Sequence, residues 1–154
     1  MNYHNIRLKM VGFFISIGKN REVYKVNIPT IKSSDSITFG YHHPLKTLWF
    51  KDRNFQRKVV RGLYGDVLSK HGGNLTTLEH LVPASQNGEL VFSNIALATA
   101  RRNNARGDAP LKDFLVPQKA IEYLLQFIDL KANGFSGNKY IAGLLGTLKR
   151  LGVL

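Results

Sequence analysis

Residues 78–106, LEHLVPASQNGELVFSNIALATARRNNAR, constrain the fold and the chemistry of this chain more than any other stretch. An acid and a histidine, Glu79 and His80, are adjacent and are followed by two apolar residues and a proline. Asn94 follows His80 by 14 positions, and Asn103 follows Asn94 by nine. Each residue alone has an ordinary structural explanation, such as a packed histidine or a helix cap. Only the joint spacing points to a function.

The four side chains together supply what the hydrolysis of a phosphodiester needs. His80 has an ordinary pKa of about 6.5, so its neutral imidazole can accept a proton from water at neutral pH. Glu79 offers an anionic oxygen, and Asn94 and Asn103 offer amide oxygens. Such hard ligands suit Mg²⁺ or Mn²⁺ and leave coordination positions open for water and phosphate. A base beside such a cation can generate hydroxide while the cation takes up charge on the phosphate.

The charge balance of the chain indicates a polyanionic partner. Its 154 residues include 22 Lys and Arg against 10 Asp and Glu, which gives a formal net charge of +12. Nucleic acid is therefore the leading partner and an anionic membrane surface the second, while a basic protein with neither partner is the plain alternative. The chain has no cysteine, which excludes disulfides and thiolate zinc sites. That composition suits a reducing compartment, so the expected location is the cytoplasm.

We interpret residues 1–154 as one domain without internal repeats, beginning with a β-rich segment over 1–50. Strand patterns occur at 21–28 and 36–41. The apolar run Met10–Ile17 is also interpreted as a strand, because it is far shorter than the ~20 residues that span a bilayer. The His42-His43 pair that follows this segment is interpreted as a surface feature.

A helix is predicted to open the region 52–110. Asp52 is its expected N-cap, apolar residues recur after it at helical spacing, and Gly72 is expected to end it. Arg57 and Arg61 lie off the apolar stripe. They form either a phosphate-contacting face or simply a solvated one.

The region 111–154 is also predicted to be helical. One helix is expected over 117–132, where Pro117 occupies a favourable first position. A second, glycine-interrupted amphipathic helix is expected over 137–154, ending near Lys149 and Arg150. It could pack on the core or lie along a phosphate backbone.

The stretch with the acid, histidine and asparagines resembles the HNH nuclease motif of the ββα-metal superfamily. That family places an acid and a histidine at the end of one strand, before an apolar-apolar-proline step, as in LEHLVP. A glycine-bearing loop, a second strand that opens with asparagine, and a short helix then follow, as in ASQNGELVFS, NIALAT and ARRNNARGD. The resemblance covers Leu75–Pro110. It implies a ββα-metal core, with a strand to Thr99 and a helix from Ala100. Together with the helices and the β-rich N-terminal segment that the sequence patterns predict, the expected fold is α+β, a ββα-metal core with flanking helices.

The resemblance also implies a role for each matched residue. His80 would be the general base that takes a proton from the attacking water. Glu79 and Asn103 would coordinate one Mg²⁺ or Mn²⁺, and Asn94 would tether the loop after the first strand and so hold His80 in place. The residues expected to contact nucleic acid are Arg57, Arg61, Arg101, Arg102, Arg106, Lys149 and Arg150.

Two features depart from the family pattern or leave it ambiguous. Many members hold this hairpin with a zinc ion bound by two pairs of cysteines, and the corresponding positions here are Leu68, His71, Thr99 and Arg102. We therefore expect no structural zinc and a packed hydrophobic cluster instead. Asn104 directly follows the matched asparagine and is the alternative metal ligand.

The leading interpretation is a metal-dependent HNH endonuclease. The sequence leaves DNA and RNA open as substrates, and DNA is favoured. One such site cuts one strand, so a double-strand cut would require a homodimer, a second visit by the same site or a partner protein. The main alternative is a non-catalytic module that binds nucleic acid or regulates a nuclease and retains the ββα fold. A weaker one is a membrane-surface protein that uses the amphipathic helix over 137–154.

Overall fold

The computed structural model describes the backbone of three N-terminal strands and the continuous range 43–154. The strands are β1 (Arg7–Met10), β2 (Phe13–Ile17) and β3 (Glu22–Val26), and they form an antiparallel sheet in that order. The prediction of one strand over Met10–Ile17 is wrong, because Met10 belongs to β1 and pairs antiparallel with Phe13 of β2. The strand predicted over 36–41 lies outside the described residues.

Two short helices begin the continuous part of the chain, α1 (Pro44–Lys51) and α2 (Arg53–Lys58). Asp52 caps α2 as predicted, since its carboxylate accepts a hydrogen bond from the Phe55 N–H at 2.9 Å. The expected continuation of this helix to Gly72 is wrong.

The segment that follows α2 is irregular because its backbone bonds to other parts of the chain. The Val59 carbonyl accepts the Trp49 indole N–H at 2.9 Å, and the Gln126 side-chain oxygen accepts the N–H groups of Val60 and Arg61. Gly65 has a φ of +93°, a conformation that a helix cannot contain. The apolar residues of this segment therefore enter the core from an extended and turning backbone.

A hairpin followed by a helix forms the centre of the described structure. Strand β4 (Thr76–His80) pairs antiparallel with β5 (Ile95–Thr99), so that His80 lies opposite Ile95. Helix α3 (Ala100–Arg106) starts directly after β5, and the Thr99 hydroxyl caps it. The predicted change from strand to helix between Thr99 and Ala100 is confirmed.

The C-terminal part is helical, with one interruption. It contains α4 (Leu111–Phe114), α5 (Pro117–Leu125) and α6 (Gly137–Arg150). A hairpin of two short strands, β6 (Lys131–Ala132) and β7 (Phe135–Ser136), lies between α5 and α6. Pro117 stands at the start of α5 as predicted. The expected extension of that helix to 132 is wrong, because Asp129, Asn133 and Gly134 adopt positive φ and reverse the chain.

Strand β5 lies in the core, and all five of its residues are buried. Its outer edge is closed by the C-terminal helices: Tyr123 accepts the Leu97 N–H at 2.9 Å, and Tyr140 donates to the Ile95 carbonyl at 2.7 Å. The two hydroxyls also bond to each other at 2.8 Å. The buried edge therefore keeps its hydrogen bonds without a third strand. Across the described residues the fold is α+β, and no helix there is long and apolar enough to cross a membrane.

Candidate functional site

His80 stands at the last position of β4, where the hairpin opens. The next residue, Leu81, still donates its N–H to the Asn94 carbonyl at 2.8 Å. The imidazole is half-buried and makes no hydrogen bond to any of the described residues. Burial, and then the positive charge of Arg106, lower the pKa of His80 below its ordinary value. The ring is therefore neutral at pH 7 and can accept a proton.

Asn94 ties the loop after β4 to the beginning of β5. Its side-chain oxygen accepts the Val82 N–H at 2.8 Å, and its amide nitrogen donates to the Val82 and Glu89 carbonyls at 3.1 and 3.0 Å. The tether predicted for Asn94 is therefore present. Its effect on His80 remains a prediction.

Asn103 lies against β4, whereas its neighbour Asn104 is exposed. The Asn103 amide nitrogen donates to the Leu78 carbonyl at 2.8 Å and to the Thr77 hydroxyl at 3.2 Å. Its side-chain oxygen accepts no hydrogen bond from the described residues. Of the two asparagines, Asn103 is thus the one that holds an available oxygen beside the strand of the acid and the histidine.

Glu79 is buried and already bound. It is 3% exposed, its Oε2 accepts the Tyr64 hydroxyl at 2.7 Å, and its Oε1 lies 3.4 Å from Nη1 of Arg106. Burial raises the pKa of Glu79, while the Tyr64 hydrogen bond and the Arg106 charge oppose that rise. Any cation at Oε1 would therefore share this carboxylate with a guanidinium.

Arg106 has a structural role, and its predicted contact with nucleic acid is wrong. The residue is 3% exposed and donates to three backbone carbonyls, those of Ala109, His80 and Leu81, at 2.9, 2.7 and 2.8 Å. All three guanidinium nitrogens therefore donate to groups inside the protein. Arg106 instead joins the end of α3 to the end of β4.

The remaining oxygens suit a magnesium-type ion only in part. Asn103 Oδ1 and Glu79 Oε1 are hard donors of the kind that Mg²⁺ and Mn²⁺ prefer. Within the described residues no group of three or more His, Asp and Glu side chains could hold a metal ion. A cation held here would keep most of its coordination shell for water and substrate phosphate, as Mg²⁺ commonly does.

The other basic residues predicted to bind nucleic acid are exposed but dispersed. Arg101 and Arg102, 62% and 47% exposed, stand at the start of α3, at the opposite end of β4 from His80. Arg102 pairs with Asp66 at 2.8 Å, and Arg101 donates to Asn74 at 2.6 Å. The remaining four, also exposed, are Arg57, Arg61, Lys149 and Arg150.

The hydrophobic cluster predicted in place of zinc is wrong for two of its four positions. Leu68 and Thr99 are buried, whereas His71 and Arg102 are exposed. Asp66 explains part of the difference, because it attracts Arg102 and lies 3.4 Å from the Thr99 hydroxyl. Polar contacts therefore replace apolar packing at that end of the hairpin.

Sequence reasoning missed His43, which it assigned to the surface. The side chain is fully buried, its Nδ1 caps α1 by accepting the Leu45 N–H at 3.2 Å, and its ring lies edge-on to Phe92 at 4.5 Å. Pro44 could have predicted this role, because proline favours the first position of a helix and the preceding residue is then the N-cap. The contact of Tyr64 with Glu79 had no such local signal.

Comparisons of the chain with protein-family models, with curated proteins and with solved structures found no match. The functional proposal therefore rests on the geometry at the end of the β4–β5 hairpin. That geometry places a neutral histidine at the end of β4, an asparagine that tethers the loop after it, and a helix asparagine that bonds to Leu78 of the same strand.

Proposed function

We propose that this chain is a metal-dependent endonuclease of the HNH type, which hydrolyses phosphodiester bonds in nucleic acid, with DNA favoured. The observation that carries the proposal is the β4–β5–α3 unit, in which His80, Asn94 and Asn103 lie on the elements that the motif requires. This unit supports assignment of a ββα-metal core.

The chain's own residues would act as follows. His80 accepts the proton of the attacking water, for which its neutral imidazole is suited. Asn94 holds the loop beyond Leu81 in place. Arg106 fixes the backbone by donating to the carbonyls of His80 and Leu81. The base thus stands on a backbone that is bonded to both β5 and α3.

Asn103, with a contribution from Glu79 Oε1, would hold the divalent cation. When bound, Mg²⁺ or Mn²⁺ would supply positive charge that stabilises the phosphate and the leaving oxygen. The net charge of +12 and the exposed arginines would attract the phosphate backbone. Because Arg101 and Arg102 lie away from His80, they would bind flanking phosphates rather than the scissile one.

One specific observation favours a second candidate, a non-catalytic module that binds nucleic acid. Glu79, the expected acidic ligand, is buried between Tyr64 and Arg106. If that cluster serves only stability, the fold would bind nucleic acid through its exposed cations without cutting it.

Nicking of supercoiled plasmid separates the two candidates. We expect nicking by the wild type with Mg²⁺ or Mn²⁺ and none with EDTA. Asn103→Ala should lose the activity, while its neighbour Asn104→Ala, which removes an exposed amide, should retain it. A wild type that retards DNA in a gel but never nicks it with either ion would establish the binding module. Equal effects of the two substitutions would refute the assignment of Asn103.

A further inference from the structure

Within the part of the chain that the structure describes, His43 presents a buried hydrogen-bond donor without an acceptor. Among the described residues, its Nε2 is the only buried side-chain nitrogen or oxygen that lacks a partner. Its Nδ1 accepts the Leu45 N–H. A neutral imidazole accepts at one nitrogen and carries its hydrogen on the other, so the hydrogen is on Nε2. Buried donors in folded proteins are normally satisfied by protein or by ordered water, so an acceptor is expected here.

His43 lies at the same end of the hairpin as His80. It caps α1, which contacts β4, and its ring packs on Phe92, in the turn that leads into Asn94. The Asn94 carbonyl in turn accepts the N–H of Leu81, the residue after His80. Burial lowers the pKa of His43 most, and repulsion from His80 when both rings are protonated lowers it further, which agrees with this placement.

Among the described residues, no partner orients the ring of His80. Neither ring nitrogen bonds to any described residue. A histidine base normally has its second nitrogen held by a hydrogen bond, which selects the tautomer and the ring angle. An unanchored base and an unsatisfied donor therefore stand at one end of the same hairpin.

We propose that a buried water accepts hydrogen bonds from the Nε2–H of His43 and from one N–H of His80, so that His43 is a positioning residue for the base. The bond leaves the other nitrogen of His80 unprotonated and able to accept a proton. A metal ion cannot replace the water at Nε2, because that nitrogen carries a hydrogen. The catalytic consequence rests on the proposed function, whereas the water itself does not.

The water is tested first, without any assay of activity. A high-resolution crystal structure of the wild type should show a water within hydrogen-bond distance of His43 Nε2 and of one His80 nitrogen. Nitrogen-15 NMR should show His43 as the Nε2–H tautomer. A direct protein partner at Nε2, the opposite tautomer, or no water between the rings would overturn the proposal.

The positioning role is tested with two variants. His43→Asn keeps a side chain that caps helices well but removes the Nε2–H. Phe92→Leu removes the ring contact and leaves that donor in place. In plasmid nicking we expect His43→Asn to lower kcat about 10- to 100-fold with KM unchanged, the usual range for loss of an orienting partner. Phe92→Leu should lower kcat less than His43→Asn does, because the Nε2–H donor of His43 remains in place.

Failure of this inference and failure of the proposed function give different results. A wild type that never nicks refutes the nuclease, while the crystal structure and NMR still decide the water. A wild type that nicks, with an unchanged kcat in His43→Asn, refutes the positioning role alone. Equal losses in both variants would also refute it, because they would trace the effect to packing.

Discussion

Arg106→Met tests most sharply whether Arg106 supports the site from inside the protein. The substitution keeps a long side chain but removes the guanidinium. Glu79 would then be a buried carboxylate held by Tyr64 alone, and three carbonyls would lose their donor. Breaking a buried ion pair by removing one partner costs about 3–5 kcal/mol. Each lost hydrogen bond adds about 1 kcal/mol, although such effects within one cluster are not additive.

We therefore expect the free energy of unfolding to fall by about 5 kcal/mol, a large part of the 5–15 kcal/mol typical of a domain. Urea denaturation followed by circular dichroism measures it. The matched control is Arg102→Met, which removes an exposed arginine paired with Asp66 and should cost at most about 1 kcal/mol. Adding Glu79→Gln to Arg106→Met should recover part of the loss, because it removes the uncompensated buried charge. If Arg106→Met cost no more than the control, the structural assignment would be refuted.

Three further predictions concern the surrounding structure. Burial, and then repulsion from His80 once it is protonated, lower the pKa of His43 from 6.5 to about 4, so the unfolded chain takes up a proton first as the pH falls. The stability contributed by the neutral ring should be complete above pH 6.5 and fall by about 3 kcal/mol towards pH 4. Urea midpoints of the wild type should therefore fall more steeply with pH than those of His43→Asn, and parallel curves would contradict this. Asn94→Ala, which removes three hydrogen bonds to the loop, should cost about 2–3 kcal/mol in urea denaturation; a loss below about 0.5 kcal/mol would show that the tether is unimportant. Tyr140→Phe leaves the buried Ile95 carbonyl without its hydroxyl donor and should lower thermal stability by about 1–3 kcal/mol, whereas an unchanged melting temperature would mean that water replaces the hydroxyl.

Structural features that depend on neighbouring residues in the sequence could be predicted. Asp52 was identified as a cap and Pro117 as a helix start, because capping depends on the residue and its immediate neighbours. The change from strand to helix between Thr99 and Ala100 followed from the motif rather than from periodicity. The tether of Asn94 followed from the same motif.

Features set by distant contacts could not be predicted. The helix expected to run to Gly72 ends early because Trp49 and Gln126 bind the backbone beyond α2, and neither contact has a sequence signal. Arg106 was assigned to nucleic acid because it is one of the arginines in the motif that could contact a phosphate. Its burial depends on carbonyls at the end of β4, which the spacing of the motif does not reveal.

The most direct test of the central claim compares two histidine substitutions under single-turnover conditions. His80→Ala removes the proposed base, and His71→Ala removes an exposed histidine that lies outside the site. With Mg²⁺, nicking of supercoiled plasmid should fall at least about 100-fold in His80→Ala, the usual contribution of a general base. His71→Ala should match the wild type, and both variants should retain DNA binding. Undiminished nicking by folded His80→Ala would contradict the assignment of His80 as the base.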